Sequence, residues 1–166
     1  IRTQVPRSSN REHSVPLYLT SSFVFDDSEH GRAMFADEVE GNIYSRYSNP
    51  NTNEFIEKVR DSEGAEAGLA FSSGMAAVFA SIAGLLRSGD HIVAFRSIFG
   101  STHQLFAQLL PRWGITTTYV DASNPEDFEA ALRPETKMVF LETPSNPGLE
   151  LVDLEWLGNL KKKHNF

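Results

Sequence analysis

Residues 52–141 predict an α/β fold with a largely parallel sheet covered by helices on both faces. Short apolar or β-branched runs alternate with segments of helical period, and capping or turn residues punctuate the joints between them. The spacing leaves room for a crossover helix between successive strands, as parallel pairing requires.

Taken in order, residues 1–41 lack a sustained helical period. They mix Pro6, Pro16 and polar clusters with a β-prone patch at 18–25 and one helical candidate at 28–35. This predicts an irregular arm. Its aromatics, Tyr18, Phe23, Phe25 and Phe35, would be costly to leave in water, so an arm that embraces another surface is expected rather than a loose terminus. Phe55, Ile56 and Val59 then share a helical face behind Thr52 as N-cap. A short strand is expected at 68–71. Ser72-Ser73-Gly74 opens an apolar helix carrying Met75, Val78, Phe79, Ile82 and Leu86, and Gly89-Asp90 ends that unit with a turn.

The next strand is expected at 91–95. Ser101 and Gln104 have capping-box spacing at the head of a helix with Leu105, Phe106 and Leu109, closed by Pro111 and Gly114. Residues 115–120 form a β-branched strand, and Asn124-Pro125 starts a helix running to about Leu132. A strand at 137–141, a turn-rich stretch at 143–148 and a helix over 154–166 complete the pattern. That last helix meets neither a C-cap glycine nor a following strand, and there is no initiator Met, so a segment of a longer chain is expected.

Composition narrows the function. With 166 residues, 40% of them hydrophobic, the chain is long enough to bury a core. It has no cysteine, which excludes disulfide scaffolds, zinc ribbons and thiol nucleophiles. The net charge of −7 argues against a nucleic-acid partner, because phosphate backbones are gripped by clustered Lys and Arg. The apolar run at 75–86 is too short to span a bilayer, and the N-terminus offers arginines instead of a signal-peptide core. A soluble cytoplasmic chain with no membrane contact is expected. The five histidines show no metal-ligand spacing, so no metal is expected.

Ligands of open α/β sheets collect at the carboxyl ends of strands. At Ser72-Ser73-Gly74-Met75 a glycine turn exposes the unpaired N–H groups of a new helix, which favours an anion, although the same residues can simply be a cap. In YSRYSNPNT (44–52), Tyr44 and Arg46 stand two apart in an extended segment and point the same way, as a phosphate clamp would. The alternative is a plain turn at Asn49-Pro50-Asn51. In ETPSNP (142–147), Asn146 lies between two prolines that could fix its amide for one hydrogen bond, or the segment is a rigid connector. The run Lys161-Lys162-Lys163 is a solvated helix end.

Four strings in this order, YSRYSNPNT, EGAEAGLAFSSGMAA (63–77), GDHIVAFRSIFGST (89–102) and VFLETPSNP (139–147), resemble the pyridoxal-phosphate enzymes of cysteine and methionine metabolism over essentially the whole chain. The resemblance implies the N-terminal part of an aspartate-aminotransferase-like (fold type I) large domain. Its architecture would be three-layer α/β/α, with residues 1–51 as an arm on a neighbouring subunit and 52–166 as the first, incomplete part of the cofactor domain. It implies pyridoxal 5'-phosphate as cofactor. Gly74 and Met75 would donate N–H groups to its phosphate, and Tyr44 and Arg46 would reach the phosphate bound in the neighbouring subunit. Phe99 would stack on the pyridine ring, and Asn146 would bond its 3'-oxygen. A homo-oligomer follows, with a dimer-formed site and a tetramer as the expected assembly.

Two departures refine the expectation. Lyases and cystathionine-forming members usually carry Tyr where Phe99 stands, so its ring stacks without offering a hydroxyl, as in homoserine-ester sulfhydrylases. The expected activity is conversion of O-succinyl-L-homoserine and sulfide to L-homocysteine and succinate; methionine γ-lyase and cystathionine γ-synthase or γ-lyase are the alternatives. The second departure is an absence. The family's cofactor-bonding lysine sits in a serine- and threonine-rich context, and none of Lys58, Lys137, Lys161, Lys162 and Lys163 does. No catalytic residue is assigned within this chain. On its own it is expected to be inactive, and a non-catalytic fragment is the alternative from another class.

Overall fold

The structure, a computed structural model, describes residues 6–121 and 124–164. The chain divides into two compact units, Ile1–Ala70 and Phe71–Phe166.

In the first unit, helix α1 (Ser28–Phe35) starts at Asp27, whose carboxylate accepts the His30 N–H at 2.7 Å. It buries Ala33 and Met34 and leaves Phe35 outside. Arg32 pairs with Glu29 and Glu38, both at 2.7 Å. Helix α2 (Pro50–Glu63) begins three residues earlier than an N-cap at Thr52 would place it. Asn49 is the cap, its side chain accepting the Asn51 N–H at 2.9 Å, and Pro50 occupies the first helical position. The Asn-Pro-Asn turn is therefore a helix head. Both asparagines also fasten the arm. Asn51 accepts the Tyr18 N–H at 2.8 Å and donates to the Pro16 carbonyl at 2.7 Å, while Asn49 donates to the Tyr18 carbonyl at 3.1 Å.

Two expected β segments are not strands. The 18–25 patch makes a single antiparallel bridge, Ser22 to Tyr44. Residues 68–71 form no regular element and pair with no described strand, and Leu69 is 84% exposed. An apolar run becomes a strand only where a neighbouring edge takes its backbone hydrogen bonds.

The second unit is built on three parallel strands, β1 (His91–Phe95), β2 (Thr116–Val120) and β3 (Thr136–Phe140), in the order β2-β1-β3. All five residues of β1 are buried, as a central parallel strand covered on both faces should be. Ile92 and Ala94 pack on one face with Ile82, Leu105, Phe106 and Leu110. Val93 and Phe95 pack on the other with Phe128 and Leu160. The Phe95 and Phe128 rings stack 5.5 Å apart. Helices α3 (Gly74–Leu85) and α4 (Gly100–Gln104) cover the first face; α5 (Pro125–Ala131) and α6 (Leu154–Lys163) cover the second. The three-layer expectation holds for this unit.

Beyond Gln104 the α4 coil continues as a π-helical turn, Leu105–Leu109, and a 3-10 turn, Leu110–Trp113. It stops at Gly114 (φ 74°), where a Cβ would lie 2.3 Å from the Ser88 hydroxyl, so both the dihedral and the space call for glycine. Asn124 caps α5 as expected, accepting the Glu126 N–H at 3.3 Å. Helix α6 starts at Asp153 and ends at Lys163; the last two residues of its expected span lie outside the described residues.

Candidate cofactor site

At the head of α3, the Ser73 side chain accepts the Ala76 N–H at 3.2 Å and the Ser73 carbonyl accepts the Ala77 N–H at 3.1 Å. The two preceding donors, the N–H groups of Gly74 and Met75, have no acceptor among the described residues. Nothing lies within 4 Å of where a Gly74 Cβ would be, so the backbone there can be approached closely. The unpaired helix-head donors that the sequence leads one to expect are present.

The second element is the loop after β1. Phe99 stands immediately before α4 and is 45% exposed. Its N–H donates to Glu142 Oε1 at 2.9 Å, and Glu142 follows β3. Ser97 likewise donates to the Glu150 carboxylate. Two carboxylates of the later loop thus anchor the loop that presents Phe99. Ser101 is not the N-cap: the helix starts at Gly100 with Phe99 in the cap position, and Ser101 falls inside the first turn. One turn into α4, the buried Thr102 hydroxyl meets the Met75 sulfur at 3.8 Å and ties this head to that of α3. Nearby, His103 Nδ1 lies 2.9 Å from the Tyr119 hydroxyl, and burial pushes the Tyr119 pKa above its ordinary value. The phenol therefore stays protonated at neutral pH.

Asn146 lies in the loop after β3, exposed, and it is the residue before one of two cis X-Pro bonds, Thr143-Pro144 and Asn146-Pro147. The loop is held less by its prolines than by the buried Ser145. Its N–H donates to the Glu150 carbonyl at 3.0 Å and its hydroxyl accepts the Glu150 N–H at 3.0 Å. The amide of Asn146 has no recorded partner among the described residues.

In the first unit, Tyr44 and Arg46 do not lie on an extended segment. The backbone turns there, with the Tyr44 carbonyl accepting the N–H groups of Tyr47 at 2.8 Å and Ser48 at 3.1 Å. The turn still brings the two side chains together. The Arg46 guanidinium lies 5.3 Å from the Tyr44 ring centre and 5.2 Å from that of Tyr47. Among the described residues no group of three or more His, Cys, Asp or Glu could hold a metal, and no helix is long and apolar enough to cross a membrane.

Sequence reasoning missed Glu142, Thr102 and Tyr47. Glu142 had a signal, a carboxylate directly after a strand in the string that yielded Asn146. Tyr47 stood inside the clamp string and reads there only as a flank.

Within the second unit, free helix-head donors and a half-exposed aromatic ring lie at the carboxyl ends of parallel strands. That is the arrangement of an α/β protein that takes a small anionic ligand bearing a flat ring. Residues 2–166 match the family of Cys/Met metabolism PLP-dependent enzymes, and the chain belongs to it. Its cofactor is pyridoxal phosphate, an anion with a flat pyridine ring, which suits both features. The chain is 44% identical over 160 residues to O-succinylhomoserine sulfhydrylase of Pseudomonas aeruginosa, covering 96% of this chain and 40% of that protein. It is 43% identical to L-methionine gamma-lyase of Porphyromonas gingivalis, over 91% of this chain and 38% of that one. Its structure superposes with a TM-score of 0.89 and 32% identity on a Campylobacter jejuni chain described as an O-acetylhomoserine (thiol)-lyase and solved with a pyridoxyl-lysine phosphate. That match covers 96% of this chain and 39% of the other. The architecture is that of fold type I, and the chain spans about 40% of the length of these relatives.

Proposed function

We propose that the protein exchanges the γ-substituent of O-succinyl-L-homoserine for sulfide: the Cγ–O bond breaks, a Cγ–S bond forms, and L-homocysteine and succinate leave. The observation that carries this reading is Phe99, a half-exposed ring at the head of α4, anchored through its N–H by Glu142 and lacking the hydroxyl usual in the lyases. The relatives support the reaction class: O-succinylhomoserine sulfhydrylases from two genera are 44% identical to this chain.

When bound, pyridoxal phosphate supplies an electron sink for chemistry beside the amino group of the substrate. The N–H groups of Gly74 and Met75 hold its phosphate, with the positive end of the α3 dipole behind them. Phe99 would stack on the ring and shield it from water. Asn146 directs its amide to the 3'-oxygen. Arg46 and Tyr44 serve the phosphate bound by a neighbouring subunit, which makes the site dimer-formed and a tetramer the natural assembly. On this reading residues 1–51 are the arm on that neighbour and 52–166 the first part of the cofactor domain. None of these residues moves a proton at the reacting carbons, so that task, and the covalent lysine, belong to the part of the protein this chain does not span. The chain by itself is therefore inactive.

The test is a product assay on the full-length protein with O-succinyl-L-homoserine. Sulfide-dependent homocysteine and stoichiometric succinate are expected. Dominant 2-oxobutyrate without need for sulfide would establish the γ-lyase reading that the Porphyromonas relative favours, and cystathionine formed from cysteine would establish the synthase.

A further inference from the structure

We infer that Tyr47 is a positioning residue for the phosphate clamp, holding the Arg46 guanidinium face-on so that its N–H edge is presented to an anion. The inference rests on the assignment of Arg46 to the cofactor phosphate made above.

Three observations carry it. First, Arg46 has no ion pair or hydrogen bond among the described residues, whereas Arg32 and Arg60 in the same unit are each taken by two carboxylates. Its recorded contacts are the ring faces of Tyr44 and Tyr47, at 5.3 and 5.2 Å. A cation–π contact uses none of the guanidinium N–H donors as a hydrogen bond or ion pair would, so they remain available to a phosphate. Second, Tyr47 is 72% exposed and its phenol oxygen has no hydrogen bond among the described residues. An aromatic side chain so placed adds little to a core, and here its contact is with the arginine. Third, the turn does not need the Tyr47 ring. It is fixed by the Tyr44 carbonyl, by the Ser45 N–H donating to the Ser21 carbonyl at 2.9 Å, and by Asn49 donating to the Ser45 hydroxyl at 3.0 Å. Removing the ring should free the guanidinium without unfolding the loop that carries it.

The experiment measures pyridoxal phosphate affinity of the full-length apoprotein, by absorbance on titration, for wild type, Arg46→Ala, Tyr47→Ala, Tyr47→Leu, Tyr47→Phe and the double variant Arg46→Ala/Tyr47→Ala. Tyr47→Leu keeps the apolar bulk without a π face, which guards against simple loss of packing. Tyr47→Ala and Tyr47→Leu are expected to weaken binding roughly three- to ten-fold, the range a cation–π contact supports. Tyr47→Phe should stay within about two-fold of wild type, since the ring and not the hydroxyl acts. The double variant should bind like Arg46→Ala alone, because a positioning residue has nothing left to position. Weak binding by Arg46→Ala beside unchanged Tyr47→Leu, or losses that add fully in the double variant, would overturn the role of Tyr47 while sparing the clamp. Unchanged binding by Arg46→Ala would overturn the clamp itself, and the inference with it.

Discussion

At the amino-terminal end of the sheet, His91 Nδ1 lies 2.8 Å from the Thr136 hydroxyl and Nε2 lies 2.9 Å from that of Thr118, so one buried imidazole stitches three strands. Arg133 completes the set, its backbone N–H donating to Thr136 at 2.8 Å and its guanidinium to Thr118 at 3.0 Å. At the carboxyl-terminal end, the Gly74 and Met75 donors are open and Phe99 is half in solvent. At the first end His91, Thr118, Thr136 and Arg133 satisfy one another, although the Thr117 hydroxyl beside them is buried without a partner among the described residues; at the second the two helix-head donors are open to solvent. A buried polar group without a partner costs about 1–3 kcal/mol, whereas a donor at an exposed helix head can be satisfied by water or by a ligand. The contrast separates residues whose loss should appear in stability from residues whose loss should appear in cofactor binding.

The largest effect tests the core that both ends share. Phe128 is fully buried against Phe95, so Phe128→Ala should cost about 3–5 kcal/mol of stability. Urea unfolding of the full-length protein would measure it, and cofactor affinity of the folded fraction should not move. Equal losses in both would mean that the core and the site are not separable.

His91 comes next. Burial, and then the charge of Arg133, hold its pKa below the ordinary value of 6.5, with Glu135 acting weakly against them. The unfolded chain therefore takes up the proton first as pH falls. Stability should be full above about pH 6.5 and decline between there and the depressed native value. His91→Ala should lose about 1–3 kcal/mol at pH 7.5 by taking one of the two partners from each hydroxyl and emptying a buried site, and should flatten this pH dependence. Urea midpoints at pH 7.5 and 5.5 give both readings; an unchanged slope in the variant would assign the pH response to another group.

What was legible in the sequence divides along the same line. All three strands of the sheet, the span of α1 and the Asn124 cap could be read, because each rests on local period or on a side chain bonding two or three residues away. So could the open head of α3, a property of any helix start. The cap at Ser101 misled because the helix begins earlier, at Gly100, where Phe99 is held through its N–H by Glu142 from another loop. Residues 68–71 misled because pairing is a property of two segments, not one. Tyr44 and Arg46 do converge, through a turn in place of strand alternation, and the Tyr47 ring that completes the stack has no pattern in one dimension that would mark it.

The smallest expected effects sharpen the comparison most, because they set neighbours on α3 against each other. Ser73 caps the helix with its side chain, so Ser73→Ala should cost about 1 kcal/mol of stability. Gly74 is different. Its φ is not in the left-handed region and a Cβ there would touch nothing, so Gly74→Ala should leave stability unchanged or raise it by up to about 1 kcal/mol. If a phosphate sits against the free N–H groups, however, the added methyl would occupy the space by which it approaches, and pyridoxal phosphate affinity should fall several-fold. Thermal unfolding of the apoprotein and a cofactor titration together decide the matter. A Gly74→Ala variant that keeps both full stability and full affinity would show that the open end of α3 is a helix start and nothing more, because the space beside its first two donors would then hold no ligand.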